Sequence, residues 1–376
     1  MKTYKASSHH TGKSMVWPLF FLATSAVAAP AIQQASVSSE SITISGSEFG
    51  SKATARPLIF DNFDSGTNGQ SIPGHAPTMT ILSSGGWKWD STAAGGTALP
   101  TYSTANQRPG SVANALSDMN DTQWNKALSI SSQQSEYFAS WWMYYDHYAG
   151  SISRNTKPWV IYGSNQDEPH AYSGWGDLAD TPLRSSIADT SYSDPNTAYG
   201  DPGTPNFYGK WFKFEVYLKQ SSPNVANGIY KVWITEPGQP RKLALNRDPV
   251  VTRSISGVWS QFTFIGAYCD SSPGDRKYKI YADDFYLDNT QARVEIGNAS
   301  TYDASTIREV QPANSWSTTQ ISTTLNKGAL PYGTAYIYVI DSTGSVNNVG
   351  YPITPVSYTH LRAHETDSYL VCRLLL

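Results

Sequence analysis

The stretch KWFKFEVYLKQ, residues 210–220, alternates without a break. Phe212, Phe214, Val216 and Leu218 fall on one side of an extended chain. Trp211, Lys213, Glu215, Tyr217 and Lys219 fall on the other. A period of two is the mark of a β-strand with one face in a core. The polar segment SSPNVANG (221–228) turns the chain, and IYKVWIT (229–235) returns. In the returning run Tyr230, Val232 and Ile234 share one side, and Ile229, Lys231 and Trp233 the other. Two alternating runs about a polar turn make a hairpin. QFTFIGAYC (261–269) and KIYADDFYLD (279–288) supply two further strands. No long segment carries a helical period, so the chain reads as all-β.

Composition narrows the function classes. The formal net charge of -3 gives no electrostatic reason to expect nucleic acid as a partner. Charged residues make up only 15% of the chain, while Tyr (24) and Trp (12) are abundant, as suits a secreted β-protein handling polar ring-shaped ligands. Lys2, Lys5 and Lys13 precede the apolar run MVWPLFFLATSAVAA, and Ala26-Val27-Ala28 follows the small-x-small rule of a cleavage site. Residues 1–28 therefore read as a secretory signal, too short to span a bilayer, and a secreted, periplasmic or cell-surface location is expected. The C-terminal VSYTHLRAHETDSYLVCRLLL (356–376) breaks with the preceding composition and resembles a translated sequencing adaptor. It is expected to be a non-native tail of a truncated gene fragment, with further domains possible in the intact chain. Of the two cysteines, Cys269 and Cys372, only the first lies outside that tail, so no intramolecular disulfide framework is expected.

Five pieces in order carry a family resemblance: PLIFDNFDSGTNG (57–69), YFASWWMYYD (137–146), GKWFKFEVYLK (209–219), NGIYKVWI (227–234) and IYADDFYLD (280–288). From residue 57 to 290 the chain resembles the concanavalin A-like lectin/glucanase superfamily, which implies a jelly-roll β-sandwich. The flanks differ. ESITISGSEFGSK (40–52) resembles the opening of an IPT/TIG-type immunoglobulin-like domain, and residues 291–355 resemble its later strands. Neither flank has enough strands to close a sandwich alone. The jelly roll is therefore expected as an insertion in a discontinuous Ig-like domain formed by 30–56 and 291–355.

The adjacent Asp283 and Asp284 pose a physical question, because successive strand residues face opposite ways and a lone inward carboxylate is costly. Jelly-roll carbohydrate-binding modules often hold calcium between their first and last strands, and FDNFDSG (60–66) offers Asp61 and Asp64 on the first. The resemblance implies a structural Ca2+ on Asp61, Asp64, Asp283 and Asp284, an oxygen-only set suited to a hard cation. The alternative is a pair of solvent-facing aspartates.

Catalytic motifs of the superfamily are harder to find. Laminarinase-like members carry E-x-D-x-x-E on one strand, and here Glu215 stands alone. The alginate-lyase patterns R-x-E-x-R and Q-x-H are missing as well. His147 or His170, with a tyrosine and Arg154, would suit a lyase base. The aromatic and charged residues make a stronger pattern. Trp211, Lys213, Glu215, Tyr217, Lys231 and Trp233, joined by Trp142, Tyr144 and Trp175, mix rings with charges as saccharide-binding faces do. The expectation is a secreted, non-catalytic glycan-binding or adhesive protein whose partner is an extracellular polysaccharide or cell-surface glycan. The alternatives are a polysaccharide lyase or glycoside hydrolase, and a structural spacer of a larger surface protein.

Overall fold

A computed structural model describes residues 28–83, 85–89, 99–118, 128–147, 156–163, 170–175, 184–188, 198–199, 209–254, 256–269 and 278–354. Residues 1–27 of the segment read as a secretory signal (1–28), and residues 355–376, which include the segment read as an adaptor, lie outside the described residues. All described strand pairs are antiparallel and fall into four sheets. Among the described residues no helix is long and apolar enough to cross a membrane.

Two sheets form a jelly-roll sandwich. The larger has nine strands and runs Lys242–Val250, Gly228–Thr235, Trp211–Lys219, Glu136–His147, Tyr278–Asp288, Ile59–Asp61 and Met79–Thr80. Asn114–Asp118 pairs beside it on Tyr278–Asp288, and Thr101–Ser103 on Asn114–Asp118. The other has seven strands: Ala198–Tyr199, Arg184–Ala188, His170–Trp175, Thr156–Gly163, Trp259–Cys269, Leu128–Gln134 and Lys88–Trp89. The two sheets face each other across one apolar core. Phe212, Phe214, Val216 and Leu218 enter it from one strand, and Tyr230, Val232 and Ile234 from its hairpin partner, the faces that alternation assigns. Trp159, Phe262 and Phe264 close it from the seven-stranded sheet. Its centre is aromatic: the rings of Phe264 and Phe285 lie 4.1 Å apart, and Trp141 meets Phe214 at 5.0 Å and Phe264 at 5.4 Å. Truncating such a ring costs about 3–5 kcal/mol through lost contacts and a residual cavity.

The flanks build a second, smaller core. Ala31–Val37, Ser41–Ser47, Gln320–Thr324 and Ala313–Trp316 form one four-stranded sheet. Arg308–Gln311, Arg293–Gly297, Ala335–Ile340 and Tyr351–Ile353 form the other. Ile42, Ile44 and Phe49 from before the jelly roll pack with Val294, Ile296, Ile321 and Ile337 from after it. The sheet containing Arg293–Gly297 lies on the outward face of the nine-stranded sheet, where Val310 packs with Phe138, Tyr217 and Tyr286.

Candidate functional site

The outward face of the nine-stranded sheet holds most residues nominated from sequence, and much of it is covered. Lys213, Glu215, Tyr217 and Trp142 are each at most 5% exposed beneath the smaller sandwich. A carboxylate there needs cations, and the smaller sandwich and the jelly roll both supply them. Arg308 reaches Glu215 and Glu295 at 3.1 Å each. Arg293 adds a 2.6 Å bond to Glu295, and Arg241 a 2.9 Å bond to Glu215. Lys213 donates to the Arg308 carbonyl at 2.9 Å and sits 3.6 Å from Glu295. Burial alone would raise the Glu215 pKa, but Arg241, Lys213 and Arg308 outweigh it and bring it down to about 2. Glu215 is thus a fixed anion that joins two sandwiches, not a proton donor for catalysis. The cations also stack on rings: Arg293 lies 3.9 Å from the Phe138 centroid and Arg241 4.0 Å from that of Trp233. Lys231 sits at the rim, paired with Asp248 at 2.7 Å.

The same interface answers the question posed by the adjacent aspartates. The register of strand Tyr278–Asp288 against Glu136–His147 shifts between Asp283 and Tyr286, and Asp284 has a φ of 49°. A bulge of this kind re-aims side chains. Both carboxylates reach Arg108, a guanidinium only 2% exposed, which also bonds Glu309 at 2.9 Å. Glu309 further accepts from Trp142 Nε1 at 3.0 Å and from the Ala329 amide at 3.0 Å. Asn326 donates to Asp284 at 2.9 Å. Burial pushes the Asp284 pKa up to about 6 despite Arg108, and burial together with the neighbouring Asp284 pushes Asp283 well upward. Asp61 also rises to about 6, chiefly through burial, while Trp87, Phe63 and Thr78 donate to it at 2.7, 3.0 and 3.2 Å. Asp64 caps the Val112 amide at 2.6 Å. These four carboxylates do not fit a calcium ion. Arg108 already stands between Asp283, Asp284 and Glu309, and Asp61 is saturated by its own donors. Among the described residues no group of three or more His, Cys, Asp or Glu side chains is arranged to hold a metal.

Two nominated aromatics lie beyond the covered area. Tyr144 and Trp211 are cross-strand partners, half-buried, with ring centroids 5.8 Å apart. Trp175 lies on the other sheet, paired with Thr156, so it does not join them. His147 pairs with Tyr278 at a strand end, and Arg154 falls outside the described residues.

The outward face of the seven-stranded sheet gathers a second polar set that the sequence reading missed. Val160 pairs with Tyr172 and Thr263, and Thr263 with Ser129, giving one cross-strand row. Tyr162 pairs with Gln261, and Gln261 with Ser131, giving the next. Because Ile161 pairs with Ala171, position 170 falls in the row of Tyr162 and Gln261. Gln261 Nε2 donates to Thr263 Oγ1 at 3.1 Å, which fixes both on this face. Lys157 Nζ lies 4.8 Å from the Tyr172 ring centroid. Lys157, Tyr162, Tyr172 and Gln261 are all half-buried. The available signal for Val160 and Tyr162 was the alternation of TKPWVIYG (156–163) about Trp159 and Ile161, whereas Lys157 escapes that period because the register breaks between Lys157 and Trp159.

No family model matches the chain, and no curated protein matches it. Solved structures do share its architecture. A mutant of the alginate lyase Aly36B in complex with alginate tetrasaccharide is 12% identical, with 62% of this chain and 98% of that chain covered at a TM-score of 0.45. An endo-β-1,4-glucuronan lyase from the fungus Trichoderma reesei is 12% identical over 54% of this chain and 91% of that one, at a TM-score of 0.41. A xylan β-1,4-xylosidase from Bacillus halodurans C-125 is 13% identical over 63% and 40%, at 0.33. At these values the likeness is one of architecture. These neighbours are named as lyases and a glycosidase, not as the non-catalytic glycan-binding or adhesive protein that the sequence reading expected. The physical reason agrees: much of the face assigned to the glycan is instead buried against the smaller sandwich.

Proposed function

We propose that the chain is a polysaccharide lyase that cleaves an acidic extracellular polysaccharide on the outward face of the seven-stranded sheet. The observation that carries this reading is the gathering of Tyr172, Tyr162 and Gln261 in adjoining rows, with Lys157 Nζ 4.8 Å from the Tyr172 ring and position 170, a histidine, in the row of Tyr162 and Gln261. Elimination from a uronate needs three things: a cation or donor for the carboxylate, a base for the C5 proton and an acid for the departing oxygen. Lys157 and Gln261 are suited to the carboxylate, whose neutralisation makes C5–H more acidic. His170 takes the C5 proton. The C5–H electrons form the C4=C5 double bond, the C4–O bond breaks, and Tyr162 returns a proton to the departing glycosidic oxygen. A hydrolase would need two facing carboxylates, and Lys157, Tyr162, Tyr172 and Gln261 include none. The segment read as a secretory signal fits an extracellular substrate. We also read the smaller sandwich as an Ig-like domain into which the jelly roll is inserted.

The test is incubation of the protein with polyuronates and with neutral polysaccharides. Ultraviolet absorbance reports unsaturated product, and a reducing-end assay reports all cleavage. Unsaturated ends from polyuronates, lost in His170→Asn and Tyr162→Phe, are expected. Reducing ends without unsaturation would replace the lyase reading by a hydrolase, and no cleavage of any polymer would reject an enzyme.

A further inference from the structure

Lys52 and Asp288 meet where the chain enters and leaves the jelly roll. Lys52 follows strand Ser41–Ser47 of the smaller sandwich, and Asp288 ends strand Tyr278–Asp288. Lys52 Nζ lies 2.6 Å from Asp288 Oδ2, and each side chain is only 1% exposed. A carboxyl C–O bond is about 1.2 Å long, so Nζ is at most about 3.8 Å from Asp288 Cγ, close to the separation of atoms poised to react. The surrounding groups are those that acyl transfer uses. Asp288 Oδ1 accepts from the Asn289 amide at 2.8 Å. Oδ2 accepts from the Tyr286 hydroxyl at 2.7 Å, and that hydroxyl is 3.4 Å from Lys52 Nζ. The Ala55 carbonyl accepts from Nζ at 2.9 Å, and the Trp316 ring lies over it with its centroid 5.5 Å away. Burial raises the Asp288 pKa despite Lys52, and burial beside Asp288 keeps Tyr286 protonated.

We propose that Lys52 and Asp288 condense to an intramolecular isopeptide bond that ties the entry of the jelly roll to its exit. One proton passes from the Lys52 ammonium to Asp288 Oδ2, which leaves a neutral amine facing a neutral acid. The Nζ lone pair then attacks Cγ, and the displaced electrons settle on Oδ1, where the Asn289 amide stabilises them. A second Nζ proton reaches Oδ2 through the Tyr286 hydroxyl, and Oδ2 departs as water while the C=O bond reforms. One C–N bond is made, one C–O bond is broken and one water is released, with no change of oxidation state. The product is neutral, so two charges disappear from a dry site where pairing recovers their desolvation cost only in part. The tie closes the jelly roll into a covalent loop. It uses no residue of the proposed catalytic face and does not rest on the lyase reading.

The experiment is mass spectrometry of the intact full chain and of its tryptic digest. The wild type is expected to weigh about 18 Da less than its sequence, the mass of one water. Its digest should contain a branched peptide carrying both Lys52 and Asp288, uncut after Lys52. On a denaturing gel the looped chain should run ahead of Lys52→Arg and Asp288→Ala, which should both show full sequence mass. Tyr286→Phe keeps both reacting groups and should form the link about tenfold or more slowly. An ion pair without chemistry would move none of these masses. If a variant fails to fold, the wild-type digest still decides the question. A wild type of full sequence mass that yields Lys52 and Asp288 on separate peptides overturns the proposal.

Discussion

Arg108→Met is the sharpest test of how the two sandwiches are joined. Arg108 pairs with Asp283, Asp284 and Glu309, and among the described residues no other cation pairs with any of them. Methionine keeps much of the aliphatic stem that approaches Trp142, whose ring centroid lies 4.7 Å from the guanidinium carbon. It removes the charge and every donor. Breaking a buried ion pair by deleting one partner costs about 3–5 kcal/mol, because the remaining charge is stranded. Protonation relieves part of this cost. Asp284 already titrates at about 6, and Asp283 is also raised, each chiefly by burial. Without Arg108 both rise further. A carboxylate whose folded pKa exceeds its unfolded value binds more protons when folded, so its effect on stability worsens as pH rises. The loss should therefore reach about 3–5 kcal/mol near pH 8 and fall by about half near pH 5. Urea unfolding followed by tryptophan fluorescence at the two pH values measures both. A loss below about 1 kcal/mol near pH 8, or the same loss at both pH values, would refute the stranded-charge argument.

The wild type should show a related pH dependence. Asp61 and Asp284 each rise from 3.8 to about 6, about 3 kcal/mol apiece at 1.36 kcal/mol per unit, so their contribution declines as pH rises through that window. Glu215, held down from 4.5 to about 2, contributes stability above its unfolded value that is lost as pH falls toward 2. The melting midpoint should thus peak on the acid side, near pH 4, and a maximum above pH 7 would contradict the burial of these aspartates. Calcium and a chelator should leave the melting midpoint of the wild type unchanged, because Arg108 occupies the centre of the carboxylate cluster; a rise with calcium would show that a cation competes for that place. Gly110→Ala should destabilise by about 1–3 kcal/mol, because Gly110 has a φ of 87° and a Cβ would lie 2.1 Å from the Gly328 carbonyl oxygen; a stability change within error would show that the two loops separate at no cost.

Alternation made the jelly-roll core readable. Phe212 to Leu218 and Tyr230 to Ile234 enter it on the face the period assigns. The same rule misled on the opposite face. Lys213, Glu215, Arg293 and Glu295 alternate with apolar residues, as solvent-facing charges do, yet all four are at most 3% exposed. Periodicity separates two faces of a strand but does not say whether a second layer covers the polar one. Arg108 was invisible for another reason. It sits between strands, in the loop ANQRPGSV, and nothing local ties it to Asp283 or to Glu309. The bulge that re-aims Asp284 left no recognisable residue signature, since a φ of 49° at an aspartate is a property of the fold. The row of Tyr162 and Gln261 depends on strand register across about a hundred residues, which composition does not specify.

Because both flanks of the jelly roll enter one small sandwich, the two ends of the described chain run close together. Strand Ala31–Val37 lies against strand Tyr351–Ile353. A pulling force applied at these ends is carried by the two small sheets and by the short segments leading into residues 57 and 290. The long loop of chain between those segments hangs outside the load path. Tension on a molecule tethered at both ends would therefore peel Ala31–Val37 from Ser41–Ser47 before it strained the strands that hold Lys157 and Gln261.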